Sequence, residues 1–328
     1  MIETALTHLL GLRLPVLVGP MTAVSDEHLL VAAAEAGVIA GVPPHNYPGT
    51  DAFGAALGRI RKATQGPFAV NLVVNRVNPL RRRQLEVALE HHTPLFVTSL
   101  GDPTEVIEQA HRRGAKVFCD VTTAAHAERV ARAGADGLVA VVAGAGGHTG
   151  HLSPLAFVPW LVDRYDLPVV VAGAVADGRG LAASLALGAA GVQMGTRFIA
   201  ASECAAAPGW KEAILQAGPD DVLSTERVSG VTANYLRTPE LERLGASLGL
   251  PLQILLRSKR TARLTRKAMM ALAATKMERI RRGERALWSA GHSASLVGAV
   301  QPLARILDEL EREYHAAVAR LPPPHPLH

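Results

Sequence analysis

The chain has 328 residues, 48% of them hydrophobic, 19% charged and 4% aromatic, with 30 Gly and 21 Pro. That composition excludes a disordered chain, a collagen-like repeat and a pure coiled coil, and the length accommodates an α/β barrel of roughly 250 residues with some to spare. The net charge of +5 is unevenly placed, because residues 251–285 hold eleven Lys or Arg against two Glu while the remainder is net negative. No Phe or Tyr interleaves with this basic run, so a base-stacking platform is not supported and no nucleic-acid partner is expected. The run reads instead as a solvated helical face over Leu264, Ala268, Met269, Leu272 and Ile280. Two cysteines, Cys119 and Cys204, outside any C-x-x-C pair, argue against a disulfide framework and a thiolate zinc site. The first residues lack the features of a secretory signal and no apolar run approaches 18 residues. A cytoplasmic protein with no membrane segment is therefore expected.

From residue 14 to about 200, short β-branched runs alternate with longer Ala-rich segments of helical period. The predicted strands are 16–18, 38–42, 68–72, 95–99, 116–121, 137–142, 169–174 and 191–197. Most are apolar throughout, as parallel strands covered on both faces should be. Eight such units predict a (β/α)8 TIM barrel. A doubly wound sheet is the weaker alternative, since the first strand is followed by VGPM and not by G-x-G-x-x-G. Residues 205–285 read as an added helical lobe over one barrel mouth, and 293–320 as a last long helix. The predicted organisation is thus a barrel of 1–204 plus 286–328 with a substrate-side lobe of 205–285, and the tail LPPPHPLH is expected to fray.

In such a barrel the residues just beyond each strand carry the chemistry. After the sixth run comes AGAGGHTG, residues 143–150, a loop poor enough in side chains for its backbone to lie against a flat ligand while His148 projects. His148 can serve as a general base near neutral pH or hydrogen-bond a ligand. His151 raises a metal-ligand reading, but no nearby carboxylate or thiolate completes a site, and no metal is expected. The seventh and eighth runs end in VAGAVADGRG and QMGTRF, where barrels bind phosphate, and Gly173, Gly195 and Thr196 suit that role. The competing reading is that Asp177 and Gly178 merely turn the chain and cap the next helix. Asn71 ends the third run in PFAVNL, and Pro20 and Met21 follow the first strand.

Taken in order, VGPM, PFAVNL, AGAGGHTG, VAGAVADGRG and QMGTRF, continued by RVSGVTANYLR and WSAGHS, resemble the nitronate monooxygenase family, formerly called 2-nitropropane dioxygenases. The family's members are FMN-dependent barrels. The resemblance implies that FMN is contacted by Pro20, Met21, Thr22, Asn71, Gly146 and Gly147, that its phosphate sits on Gly173, Ala174, Gln193, Met194, Gly195 and Thr196, and that His148 is the catalytic histidine. Asn234 and Tyr235 are candidates for the substrate side, with simple packing as the alternative. Three departures stand out: Ala174 for the second glycine of the seventh loop, Val141 for a common Gln, and Asp120 where some relatives carry a flavin-contacting Lys.

The activity implied is oxidation of an alkyl nitronate by O₂ to a carbonyl compound and nitrite, with a small-molecule substrate and O₂ as partners and a homodimer kept open. The superfamily also contains flavin-dependent enoyl-acyl carrier protein reductases and NADH:quinone reductases. An alternative is therefore an NAD(P)H-dependent FMN reductase of enoyl thioesters or quinones, its basic 251–285 face docking an acidic carrier. A flavin-free phosphate-binding isomerase or lyase and a non-catalytic flavin binder are further readings.

Overall fold

The computed structural model describes residues 2–75, 78–245, 279–280 and 282–322, and between 245 and 279 only 255, 261, 264, 265, 268, 269 and 272. Eight parallel strands close a barrel: β1 (Val16–Val18), β2 (Ile39–Val42), β3 (Ala69–Val73), β4 (Leu95–Ser99), β5 (Lys116–Val121), β6 (Gly137–Val141), β8 (Val169–Ala172) and β9 (Gly191–Met194). β9 pairs back onto β1, Val16 standing opposite Val192. The fold is the (β/α)8 barrel that the sequence predicted, with helices alternating between the strands.

Alternation along each strand builds two cores. Leu17, Ile39, Ala69, Val97, Phe118, Val139 and Val170 point inward and plug the barrel with no exposed surface. Val16, Val18, Val70, Val117, Cys119, Leu138 and Val192 point outward under the helices. Both faces are buried, which is why the strands read as unbroken apolar runs. Several helices start where a side chain answers the free backbone amides: Asp26 accepts from His28 and Leu29 at 3.1 and 3.2 Å, and Thr123 accepts from His126 at 3.2 Å.

Three differences from the sequence reading bear on the site. First, the described part of 205–285 is not wholly helical. Helices Pro208–Gln216 and Pro239–Leu244 flank β10 (Val222–Thr225) and β11 (Ala233–Leu236), which form a three-stranded antiparallel sheet with β7 (Gly147–His148) of the barrel's sixth loop. β11 is buried at every position and shows no alternation, and β7, to which it pairs, lies some 85 residues earlier in the chain, so no local pattern announces the sheet. The boundary at residue 204 therefore crosses a surface that β-pairing joins.

Second, the packed face expected under the basic run is not present among the described residues: Leu264, Ala268 and Leu272 are exposed, Met269 is half-buried, and only Ile280 is buried. Most of that run lies outside the described residues. Third, the last helix begins at Leu303, after Pro302, and His292–Leu296 forms a 3-10 turn instead of its first turns. The seventh and eighth runs also end sooner than predicted. β8 stops before Gly173, at φ +135°, and Ala174, at φ +58°, both outside strand geometry, and β9 gives way to the short helix Thr196–Ile199. Residues 323–328 of the tail lie outside the described residues. No helix among the described residues is long and apolar enough to cross a membrane.

Candidate active site

The inward positions one step above the apolar plug form a layer of different chemistry. Following the same alternation, they are Gly19, Gly41, Asn71, Ser99, Asp120, Val141, Ala172 and Gln193. Asn71 donates from Nδ2 to Ser99 Oγ at 2.8 Å and to the Val97 carbonyl at 3.1 Å. Ser99 Oγ in turn donates to Asp120 Oδ2 at 2.6 Å. The other oxygen, Asp120 Oδ1, is buried with no partner among the described residues, and so is Gln193 Oε1. Burial pushes the Asp120 carboxyl up to about 6, against the lowering effect of the Ser99 hydrogen bond. Gly41 and Gly19 admit close packing on the β1–β2 side: a Cβ at Gly41 would stand 3.1 Å from Pro20 and one at Gly19 3.4 Å from Gln193.

Above this floor the glycine-rich loop after β6 is held from three directions. Asn234 Nδ2 donates to the Ala145 carbonyl at 2.8 Å, His292 N donates to the Gly144 carbonyl at 3.1 Å, and Ala143 N donates to the Leu152 carbonyl at 2.9 Å. Its glycines answer close backbone approach as well as any ligand. A Cβ at Gly146 would meet Gly291 N at 2.8 Å, and Gly147 takes a positive φ of 66°. The loop ends in β7, where the register pairs His148 with Ala233 and aims its ring into the mouth.

His148 carries open surface, but protein encloses it closely enough that desolvation lowers its pKa, so the neutral imidazole is its resting form at neutral pH. Its Nε2 stands 3.4 Å from Ser229 Oγ, and Ser229 also lies against the Tyr235 hydroxyl. Across the mouth stands His45, from the turn after β2. Its Nε2 shares a hydrogen bond with Thr22 Oγ1 at 2.9 Å, and desolvation together with the neighbouring charge of His148 brings it down to about 4. The two histidines thus face one mouth as neutral rings. The rule that singled out residues beyond each strand also applies to His45 and to Ser99, the last residue of β4, and the sequence reading passed over both.

The structure brings most of the other predicted residues to this mouth. Pro20, Met21 and Thr22 follow β1, and a Cβ at Gly195 would meet only Met21, at 3.5 Å, so the ends of β1 and β9 adjoin. Gly173 touches Ala145 closely and Ala174 lies against Gly144, which joins the seventh loop to the sixth. Thr196 Oγ1 accepts from Gly291 N at 3.0 Å. Gln193 stands apart from the other residues expected at the phosphate, because its side chain belongs to the inner layer with Asp120. Met194 is buried in the outer core and offers the mouth only backbone.

Ala174 adopts a left-handed backbone that L side chains enter at a cost on the order of 1 kcal/mol. Asp177 and Gly178 do what the competing reading assigned them. Asp177 Oδ1 caps Gly180 N at 3.0 Å, and Gly178 N donates to Glu313 Oε2 at 3.0 Å. Both Asn234 and Tyr235 are buried: Asn234 is 1% exposed and bound to Ala145 and Ser224, and Tyr235 lies against Ser229, its pKa pushed up to about 12. They position the loop and His148 from behind. Among the described residues no group of three or more His, Cys, Asp and Glu gathers at His148 and His151 or elsewhere.

The family model of nitronate monooxygenase matches residues 3–312. The chain belongs to the nitronate monooxygenase family. It is 34% identical over 246 residues to the (3aS,4S,5R,7aS)-5-hydroxy-7a-methyl-1-oxo-octahydro-1H-indene-4-carboxyl-CoA dehydrogenase of Mycobacterium tuberculosis, covering 74% of this chain and 68% of that protein. To the nitronate monooxygenase of Pseudomonas aeruginosa it is 32% identical over 281 residues, covering 70% of this chain and 78% of that one. The structure of FabK from Thermotoga maritima is 30% identical and superposes with a TM-score of 0.85 over 98% of each chain. The protein is therefore an oxidoreductase of a family of flavin enzymes. The floor suits a flavin on its own terms. Asp120 Oδ1 and Gln193 Oε1 are buried without a donor among the described residues, and a flavin's pyrimidine ring carries an N–H between carbonyl groups.

Proposed function

We propose that the protein is an FMN-dependent enzyme that oxidises alkyl nitronates with O₂ to a carbonyl compound and nitrite. The observation that carries this reading is His148, a neutral imidazole held over the mouth of a family barrel, opposite a second neutral histidine. FMN would rest on Pro20, Met21, Thr22, Asn71, Gly146, Gly147 and Gln193, with its phosphate on Gly173, Ala174, Gly195, Thr196 and the Met194 backbone. When bound, it supplies the two-electron acceptor and the route to O₂.

The chain's own residues prepare the substrate. A nitroalkane holds an acidic C–H beside its nitro group. Neutral His148 takes that proton, the C–H bond breaks, and its electron pair passes into the nitro group to give the nitronate. Ser229, 3.4 Å from His148 Nε2 and backed by Tyr235, orients the ring. Thr22 likewise holds His45 at the opposite wall. The clamped loop keeps His148 from swinging away, and the closed apolar plug beneath excludes water from below.

The test compares two forms of one substrate. His148→Asn is expected to lower kcat/KM for a neutral nitroalkane by about 10²- to 10⁴-fold, the usual reach of a general base, and to cost much less with the preformed nitronate, which has already lost its proton. Equal losses on both would give His148 a binding role instead. A second reading, favoured by the 34% identity to a carboxyl-CoA dehydrogenase, replaces the nitro group with a thioester that acidifies the same C–H. Anaerobic mixing decides between them: the flavin bleaches with nitronate on the first reading and with an acyl-CoA on the second.

A further inference from the structure

We propose that Asp120 is the acceptor on which the flavin's pyrimidine N–H sits, so that cofactor affinity falls as Asp120 takes up a proton. The inference rests on the flavin reading above and deepens it. Along β5 the side chains alternate, with Cys119 in the outer core and Phe118 in the plug, so Asp120 stands directly above Phe118 in the inner layer at the barrel mouth. One of its oxygens is fixed by Ser99 at 2.6 Å, and Asn71 fixes Ser99 at 2.8 Å. Among the described residues Asp120 Oδ1 is buried with no partner, and Gln193 Oε1 in the same layer shares that condition.

A buried carboxylate oxygen lacking a donor calls for a ligand that brings N–H, and the imide edge of a flavin brings one. A carboxylate accepts that hydrogen. A protonated carboxyl can set an O–H where the lone pair is needed, donor against donor.

The surroundings leave this titration to Asp120 alone. From β3, β4, β6 and β9 the residues of its layer are Asn71, Ser99, Val141 and Gln193, none of them ionisable. Desolvation raises its pKa to about 6 and the Ser99 hydrogen bond opposes that rise. On its own strand the Cys119 thiol feels the Asp120 charge but points to the outer face, with burial pushing it up to about 12. His45 and His148 stand at the rim above.

The experiment is a fluorescence titration of the apoprotein with FMN between pH 5 and 7.5, for the wild type and Asp120→Asn. FMN's phosphate and the rim histidines titrate alike in both proteins, so the readout is the ratio of the variant's Kd to the wild-type Kd at each pH. With an acid of about 6, roughly one molecule in ten is ionised at pH 5, so this ratio should fall about tenfold from pH 7.5 to pH 5. A ratio independent of pH overturns the proposal while leaving FMN binding in place. Wild type that binds no FMN at any pH overturns it together with the flavin reading. Ser99→Ala provides a second arm should Asp120→Asn fail to fold. Losing the hydroxyl that favours the carboxylate should move the midpoint of the pH profile upward, and an unmoved midpoint contradicts the assignment.

Discussion

Along β3, β4 and β5 the barrel interior changes character within two residues, a rise of about 6.6 Å. Below, Leu17, Ile39, Ala69, Val97, Phe118, Val139 and Val170 fill the space completely and carry no polar side-chain atoms. Above, Asn71, Ser99, Asp120 and Gln193 stand among two glycines, and two of their oxygens are buried without partners among the described residues. The lower layer is built to be stable and the upper layer to receive something. Free energy that the upper layer withholds from folding is available for binding, which is the usual relation between a scaffold and its site.

The largest effect that would sharpen this contrast is in the lower layer. Phe118 is fully buried and its ring packs so tightly on Gly137 that a Cβ there would lie 2.6 Å away. Phe118→Ala should cost about 3–5 kcal/mol in urea unfolding, because the surrounding strands are hydrogen-bonded into a closed barrel and collapse poorly around a cavity. A cost under 1 kcal/mol would mean that the plug is not what holds the barrel.

The upper layer should respond with the opposite sign. Asp120 is raised from 3.8 to about 6 by folding, so the folded state binds its proton more tightly than the unfolded chain does. Its presence therefore costs nothing below about pH 3.8, costs progressively more as the pH rises to about 6, and costs its full amount above that. At 1.36 kcal/mol per pH unit the full amount is on the order of 3 kcal/mol, so Asp120→Asn should stabilise the apoprotein towards that extent at pH 7.5 and gain clearly less at pH 4.5. Destabilisation by Asp120→Asn at pH 7.5 would show that the carboxylate is a structural element after all.

The barrel was legible because its signals are local. Apolar runs bounded by turn residues and separated by crossover-length segments need no knowledge of distant partners, and the strand starts agree within a residue. The placement of Asn71, His148, Gly173 and Gly195 at the barrel mouth follows from strand position alone. What was missed depends on pairing across the chain. The sheet of β7, β10 and β11 joins the His148 loop to a segment 85 residues on, so Asn234 and Tyr235 stood out as residues without revealing that they face the back of that loop. Glu313, from the last helix, takes the Gly178 amide across 135 residues, a partner no local pattern announces. His45 lay within reach of the rule already in use, since PHN directly follows β2.

If this mouth seats FMN with its phosphate at the ends of β8 and β9, Gly195 is the position where a single substitution should expel the cofactor. Its backbone, φ −104° and ψ −64°, is open to any residue, and an added Cβ would meet only Met21, at 3.5 Å. Gly195→Asp should therefore fold with an unchanged melting temperature, while setting a carboxylate against the phosphate. FMN titration of the two apoproteins should give one bound flavin per chain in the wild type and none detectable in Gly195→Asp. A variant that binds FMN as tightly as the wild type would contradict this placement of the phosphate.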